Sequence, residues 1–175
     1  MMNRREWLGV AAASACVGLV QAQPEYQEIS WDQLVPKGWA PSKSLQLLGR
    51  KVQAFGDDTP AAQTYLKKLR QEWDNAPANA DWDQKRVRLP GFVVPLDVNA
   101  KSLEEFLLVP YFGACIHTPP PPANQIIHVR LAKPAALDAM ATIWAMGVLK
   151  TERDSYGETV AGYKLVQAKI EPYQE

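Results

Sequence analysis

Apolar positions recur at helical spacing in one stretch upstream of residue 75. Thr59 followed by Pro60 is typical of a helix start, because a Thr hydroxyl caps the first turn and Pro fits its first position. Pro77 requires the helix to end before it. The pattern therefore predicts one helix, with a packing face formed by Ala61, Ala62, Tyr65, Leu66, Leu69 and Trp73.

From residue 85 onward the pattern changes to short β-rich segments. In the third of these segments, alternation places Ile127 and Val129 on the core face and His128 on the opposite face. Residues 134–140 predict a short helix inserted between the third and fourth strands. The predicted strands are residues 86–96, 106–109, 125–131, 142–150 and 162–170.

This order of elements predicts a mostly β (α+β) fold. Five short strands with one inserted helix suit a small, partly open OB-like β-barrel, preceded here by the N-terminal helix. A mixed α+β sandwich is the competing architecture. The length of 175 residues, of which 47% are hydrophobic, suits one packed domain. We expect residues 85–175 to form the barrel and residues 23–84 to form an arm and helix that pack on it.

Residues 1–22 have the features of a cleavable export signal. Arg4 and Arg5 precede an uncharged, mostly apolar stretch at residues 8–20, and the small residues that follow predict cleavage after Ala22. These 13 residues are too few to span a bilayer, which needs about 20. The paired arginines also resemble a twin-arginine export signal. We therefore expect a periplasmic protein with no transmembrane helix in its mature form.

The two cysteines have different expected fates. Cys16 raises the alternative of a lipid-anchored protein, but residues 13–15 depart from the usual lipobox, so we do not expect an anchor there. Cleavage after Ala22 removes Cys16 and leaves Cys115 as the one cysteine of the mature chain. A single cysteine cannot form an internal disulfide. Cys115 is therefore expected to be buried, bound to a ligand or chemically used.

The charge balance excludes some classes of partner. The full chain has 19 basic and 19 acidic residues, and loss of Arg4, Arg5 and Glu6 with the signal changes the net charge from zero to −1. Binding to nucleic acid or to an anionic membrane normally needs a basic excess. We therefore expect neither.

The loop between the second and third strands carries the most distinctive chemistry. Four consecutive prolines at residues 119–122 stiffen it, and Cys115, His117 and His128 are all the Cys and His residues of the mature chain. Thiolate and imidazole suit Zn²⁺ or Cu⁺. We therefore hypothesise a metal site formed by Cys115, His117 and His128, with Asn124 as a further candidate ligand.

Other interpretations of this loop remain open. Cys115 with a nearby His would form a thiol nucleophile, but the sequence has no signature of such an enzyme, which makes this the weaker alternative. In a purely structural interpretation, Cys115 is a small buried apolar residue. A third interpretation is a docking surface for a protein of the cell envelope. Its candidate contact residues are Tyr111, Phe112, Pro119, Pro120, Pro121, Pro122 and Gln125.

Three segments carry a resemblance to a known family. GFVVPLD, EFLLVPYFGACIHTPPPPANQIIHV and GYKLVQAKIEPY resemble the uncharacterised bacterial envelope family DUF3299, over residues 28–173. The matching loop positions are Cys115, His117, Pro119 to Pro122, Asn124 and Gln125. The resemblance implies an exported or lipid-anchored protein, and some members are similar to proteins encoded beside zinc-responsive ABC-transporter components. It therefore implies a link to zinc homeostasis and an envelope or transporter partner, but no settled activity.

Overall fold

The computed structural model describes residues 25–40, 42, 59–112 and 121–173. The described residues contain one α-helix, α1 (Pro60–Asp74), and short 3-10 helices at Trp31–Leu34, Ala80–Trp82 and Ala123–Gln125. The strands are β1 (Gln27–Glu28), β2 (Lys85–Pro95), β3 (Leu103–Val109), β4 (Ile127–Ala135), β5 (Thr142–Lys150), β6 (Asp154–Tyr156), β7 (Thr159–Ala161) and β8 (Tyr163–Pro172).

Five of these strands close a barrel in the order β2-β3-β4-β8-β5, with β5 returning to β2. The long strand β2 pairs with β5 through residues 85–92 and with β3 through residues 92–95, both antiparallel. Strands β4 and β8 run parallel. The prediction of a mostly β fold with a five-stranded OB-like barrel and an N-terminal helix is confirmed. The barrel is closed rather than partly open, because both ends of β2 find partners.

The prediction of a short helix at residues 134–140 is wrong. Strand β4 continues through Ala135, which pairs with Leu103 of β3, and the following residues form a turn. Met140 has a φ of 63°, which an α-helix does not accommodate. Its N–H donates to the Val93 carbonyl at 2.7 Å, and the Val93 N–H donates to Ala141 O at 3.0 Å. Bonds to β2 therefore override the helical propensity of this Ala-rich segment.

The core lies inside the barrel and follows the two-residue period of its strands. Inward side chains such as Leu89, Phe106, Val129 and Leu165 are fully buried. Gly147 allows β5 to approach β8, because a Cβ at this position would lie 2.8 Å from the Val166 carbonyl oxygen. The predicted inward orientation of Ile127 and Val129 is confirmed.

Helix α1 starts where the sequence predicted. The Ala62 N–H donates to the Thr59 hydroxyl oxygen at 3.1 Å, which caps the first turn. Ala62 and Leu69 are buried, whereas Leu66 is 48% exposed, so the packing face is narrower than expected. Within the described ranges, no helix combines the length and apolarity needed to cross a membrane.

The N-terminal arm is fastened to the barrel by Tyr163 of β8. The Tyr163 side chain is fully buried, and its hydroxyl donates to Leu34 O at 2.6 Å and accepts from the Asn79 N–H at 2.5 Å. Burial raises the pKa of Tyr163 to about 12. Ile29 and Leu34 of the arm belong to the same apolar cluster as the barrel interior. The arm therefore extends the core rather than lying loosely on it.

Strands β6 and β7 form a hairpin where the sequence indicated only a polar turn. The hairpin lies between β5 and β8 in the chain and pairs Asp154 with Ala161 and Tyr156 with Thr159. Its Tyr156 and Ala161 side chains join an apolar cluster on the outer face of the barrel. The other members of this cluster are Leu107, Val109 and Ile126, with Phe92, Val94 and Leu96 packed against them.

The Tyr163 hydroxyl provides a test of how the arm is held. Tyr163→Phe keeps the ring but leaves Leu34 O and the Asn79 N–H without this partner. We expect the free energy of unfolding to fall by about 1–3 kcal/mol, the usual cost of unpaired buried polar groups. Urea unfolding measures the change. Tyr173→Phe is the control, because Tyr173 is 38% exposed, and equal losses in both variants would contradict the assignment.

Candidate functional site

His128 is buried on the outer face of the barrel. It lies on β4 opposite Leu107 of β3 and beside Lys164 of β8, and its side chain is only 3% exposed. The sequence placed it correctly on the non-core face. Its burial comes from the β6–β7 hairpin, because the Tyr156 ring packs against the imidazole with 4.7 Å between ring centroids.

Both nitrogens of His128 face oxygen atoms. Nε2 lies 3.1 Å from Glu105 Oε2, and Nδ1 lies 2.6 Å from the Tyr156 hydroxyl. The Tyr156 hydroxyl is in turn 2.9 Å from Asp154 Oδ2. Asp154 itself is 3.9 Å from Nδ1, too far for a direct hydrogen bond. The four groups therefore form a chain of three contacts, from Glu105 through His128 and Tyr156 to Asp154.

The hydrogen bonds of this chain involve both ring nitrogens of His128. Tyr156 donates to the Asp154 carboxylate, because a charged acceptor makes the stronger hydrogen bond. The Tyr156 oxygen then accepts from the Nδ1–H of His128. At the other ring nitrogen, Nε2 lies within hydrogen-bond distance of the Glu105 carboxylate, which can only accept.

The charges around the chain agree with this assignment. Burial lowers the pKa of His128, and the nearby Glu105 carboxylate opposes that effect without cancelling it, which favours the neutral imidazole. The hydrogen bond from Tyr156 lowers the pKa of Asp154. Burial, followed by the hydrogen bond to Asp154, raises the pKa of Tyr156. Tyr156 is therefore neutral and Asp154 ionised near pH 7.

Lys164 fixes the Asp154 end of the chain. Its ammonium lies 2.8 Å from Glu152 Oε1 and 3.5 Å from Asp154 Oδ2. These contacts hold a positive charge beside the Glu152 and Asp154 carboxylates. Within the part of the chain that the structure describes, the ion-pair contact recorded for Glu105 is with His128.

A groove of about 450 Å³ opens beside this chain of contacts. Tyr156 forms one wall, and Leu107, the cross-strand neighbour of His128, lies in its floor. Asp97 and Glu158, each adjacent in sequence to a lining residue, are exposed. The complete lining is Val94, Pro95, Leu96, Leu107, Tyr156, Gly157 and Thr159.

The aromatic residues before the proline-rich loop lie at the surface. Phe112 is 71% exposed and Tyr111 is 42% exposed. The Phe112 ring meets Phe92 edge-on, with 5.9 Å between ring centroids. Phe92 belongs to the same outer apolar cluster as Val94, which lines the groove. Phe112 therefore extends the outer apolar cluster at the surface.

The residues after the prolines are held in the structure. Asn124 is fully buried, and its Nδ2 donates to Pro77 O at 3.1 Å. Gln125 Nε2 donates to Trp31 O at 2.8 Å. Pro121 is buried and Pro122 is half-buried. These contacts anchor the end of the loop to the arm and to the segment after α1.

The remaining predicted site residues lie outside the described ranges: Cys115, His117, Pro119 and Pro120. Within residues 25–40, 42, 59–112 and 121–173, no group of three or more His, Cys, Asp or Glu side chains is arranged to hold a metal ion. Of Cys115, His117 and His128, only His128 lies within the described ranges. The metal hypothesis therefore depends on whether the surroundings of His128 suit a metal ligand.

Sequence reasoning identified His128 but missed its neighbours Glu105, Tyr156, Asp154 and Lys164. Part of the signal was present, because Asp154 and Tyr156 are two residues apart and so point to the same side of a strand. The strand register and the hairpin that bring them to His128 could not be predicted from the sequence. They depend on contacts between segments distant in sequence.

Comparison with known proteins gives a consistent relationship over most of the chain. Residues 31–172 match the family described as Protein of unknown function (DUF3299). The crystal structure of a DUF3299 family protein from Pseudomonas aeruginosa PAO1 is similar, with 39% sequence identity and a TM-score of 0.63. That similarity covers 86% of this chain and 97% of the other. No curated protein matches the chain.

Proposed function

The chain belongs to the DUF3299 family, and on that premise we propose that it is an exported, metal-binding accessory protein of zinc homeostasis. In this proposal Cys115, His117 and His128 bind Zn²⁺ or Cu⁺ in the periplasm. The observation that carries the proposal is the orientation of His128, whose Nδ1 is bonded to the Tyr156 hydroxyl while Nε2 faces the partly exposed Glu105 side chain.

The surroundings of His128 are those expected of a metal ligand. Metal-binding imidazoles donate their second ring N–H to a carboxylate, carbonyl or similar acceptor, which fixes the tautomer and the ring orientation. Here the Tyr156 hydroxyl receives that hydrogen and passes the interaction on to Asp154. Burial also favours the neutral imidazole that ligation requires.

The topology supports an approach of the loop ligands to His128. Leu108 near the end of β3 pairs with Ile127 at the start of β4, so the connection that carries Cys115 and His117 leaves and returns at the same end of one strand pair. His128 is the second residue of β4. Asn124 Nδ2 donates to Pro77 O, whereas Asn124 Oδ1 is buried without a hydrogen-bond partner among the described residues, so Asn124 stays a candidate further ligand.

Metal binding by the loop is tested by titration of the mature chain. We expect wild type to bind one Zn²⁺ and Cys115→Ser/His117→Ala to bind at least tenfold more weakly, because two ligands are lost. Competition with a chromophoric chelator measures the affinity. Asn99→Ala/Ser102→Ala, two changes in the exposed loop between β2 and β3, is the control. Equal affinities in all three proteins would overturn the proposal.

The proposed location has its own test. Arg4→Lys/Arg5→Lys keeps the positive charge of the leader but removes the paired arginines. We expect this variant to accumulate in the cytoplasm as an uncleaved precursor, because the twin-arginine pathway reads the arginine pair. Cell fractionation and the mass of the N-terminus measure the outcome. Normal export with cleavage after Ala22 would instead assign the general secretory route.

A second candidate function is a protein-binding module, favoured by the 71% exposure of Phe112, whose ring contacts Phe92 of the outer apolar cluster that also contributes Val94 and Leu107 to the groove. An exposed aromatic ring next to a groove is a typical anchor for a partner segment. The exposed carboxylates of Asp97 and Glu158, each adjacent in sequence to a residue that lines the groove, favour basic residues in that segment. The occupant proposed here is therefore an extended apolar segment flanked by Lys or Arg, from an envelope or ABC-transporter protein.

Peptide binding distinguishes this candidate. We expect a labelled apolar peptide with Lys at both ends to bind wild type, and Phe112→Ala to weaken it about tenfold because an aromatic anchor is lost. Fluorescence anisotropy measures the affinity. Leu66→Ala on α1 is the control, since Leu66 is also exposed. Equal binding of a Glu-flanked peptide, or equal loss in both variants, would contradict the candidate.

A further inference from the structure

A cavity of about 510 Å³ lies between the N-terminal arm and the segment that leads from α1 into β2. Asp32, Gln33 and Lys37 line it from the arm, whereas Asp81 and Lys85 line it from the opposite side. The volume falls within the range of about 300–1,000 Å³ that is typical of small-molecule sites. Neither the metal site nor the peptide groove proposed above includes any of these residues.

Hydrogen bonds tie the two walls of this cavity together. The Gln33 carbonyl on the arm accepts from Asn79 Nδ2 and from Trp82 Nε1, both at 2.9 Å. The buried Tyr163 hydroxyl joins Leu34 to Asn79 directly beside these bonds. The cavity is therefore formed before a ligand arrives, and binding requires little further ordering of the protein.

Each wall of the cavity supplies one carboxylate and one ammonium group. Asp32 and Lys37 belong to the arm, and Asp81 and Lys85 belong to the opposite wall. In the part of the chain that the structure describes, none of these four side chains makes a hydrogen bond or an ion pair. The four charges cancel, so the cavity favours a ligand that has no large net charge.

Trp82 gives the cavity an aromatic wall. Its indole packs against the barrel core and is fixed at Nε1 by the bond to Gln33, and Val35 adds further apolar surface to the lining. A pyranose ring presents C–H groups on its faces and hydroxyl groups around its rim. Trp82 therefore suits a ligand of this shape, because the ring face packs on the indole while the hydroxyls reach the polar side chains.

We propose that this cavity binds a neutral saccharide, with a pyranose ring on Trp82. A hydroxyl group both donates and accepts hydrogen bonds, so one saccharide satisfies the carboxylates of Asp32 and Asp81 and the ammonium groups of Lys37 and Lys85. An amino acid has one group of each charge and leaves one carboxylate and one ammonium group unpaired. This inference goes beyond the proposed function and does not depend on a metal.

Binding is tested with two neutral disaccharides, maltose and N,N′-diacetylchitobiose, added at millimolar concentrations to the mature chain in the presence of EDTA. We expect at least one of them to cause a saturable shift of the Trp82 indole N–H signal in ¹H–¹⁵N spectra, because the sugar ring packs on that indole. The indole signal of Trp144, which lies outside the cavity, should not shift. Absence of a saturable Trp82 shift with both disaccharides would overturn the proposal.

A zwitterionic probe checks the class of ligand. Glycyl-leucine carries one ammonium and one carboxylate group and has an apolar side chain, but it has no hydroxyl group. We expect it to leave the Trp82 signal in place. Saturable binding of this dipeptide without binding of either disaccharide would overturn the assignment to a saccharide.

Two matched pairs of variants locate the site. We expect Trp82→Leu to weaken binding of the disaccharide about tenfold, because aromatic packing is lost, and Trp144→Leu to leave it unchanged. Asp81→Asn should weaken binding about tenfold through loss of a charged acceptor, whereas Asp138→Asn, at an exposed position between β4 and β5, should not. Isothermal titration calorimetry measures the affinities, and circular dichroism confirms that the variants fold.

The Asp81→Asn pair keeps the test decisive if Trp82→Leu, which also removes a contact with the barrel core, fails to fold. Weakening that is specific to Asp81→Asn supports the cavity as the binding site. Equal affinities of Asp81→Asn, Asp138→Asn and wild type would place the saccharide elsewhere and overturn the proposal. Because EDTA is present throughout, these outcomes are independent of the zinc titration.

Discussion

The barrel depends on one strand, β2, that pairs with two neighbouring strands. Strand β2 pairs with β5 along residues 85–92 and with β3 along residues 92–95, so Phe92 takes part in both pairings. Such a strand must coil sharply, and Gly91 permits this because a Cβ there would lie 2.7 Å from the Leu108 side chain. Closure through β2 gives the barrel a complete interior, into which Leu34 and Tyr163 fasten the arm.

Closure also decides where chemistry can occur. Inward side chains fill the barrel, so polar groups that act on a ligand must lie on the outer face. One part of that face is covered by the β6–β7 hairpin, which buries His128 while leaving Glu105 partly exposed. Because His128 is buried, its ring nitrogens need hydrogen-bond partners. An unpaired polar group costs far more free energy in the interior than at the surface.

The regular elements were largely predictable from local pattern. The five barrel strands and the Thr59–Pro60 helix start follow from periodicity and capping, both properties of neighbouring residues. Residues 134–140 show where prediction from local pattern fails. Their helical propensity is outweighed by the hydrogen bonds that Met140 and Ala141 form with Val93. The predicted packing face of α1 also wrongly included Leu66, which is exposed. Its exposure depends on the residues against which the helix packs.

The sequence by itself determined which segments form the five barrel strands, which residues of β4 face the core, and the presence of a Cys–His–proline loop, since these depend on residue identity and spacing alone. Only the tertiary structure decided that His128 is buried and that its two ring nitrogens face Glu105 and Tyr156. Those features arise where β3, β4, β8 and the hairpin converge. Contacts over such separations depend on strand register and barrel closure, which no local pattern encodes.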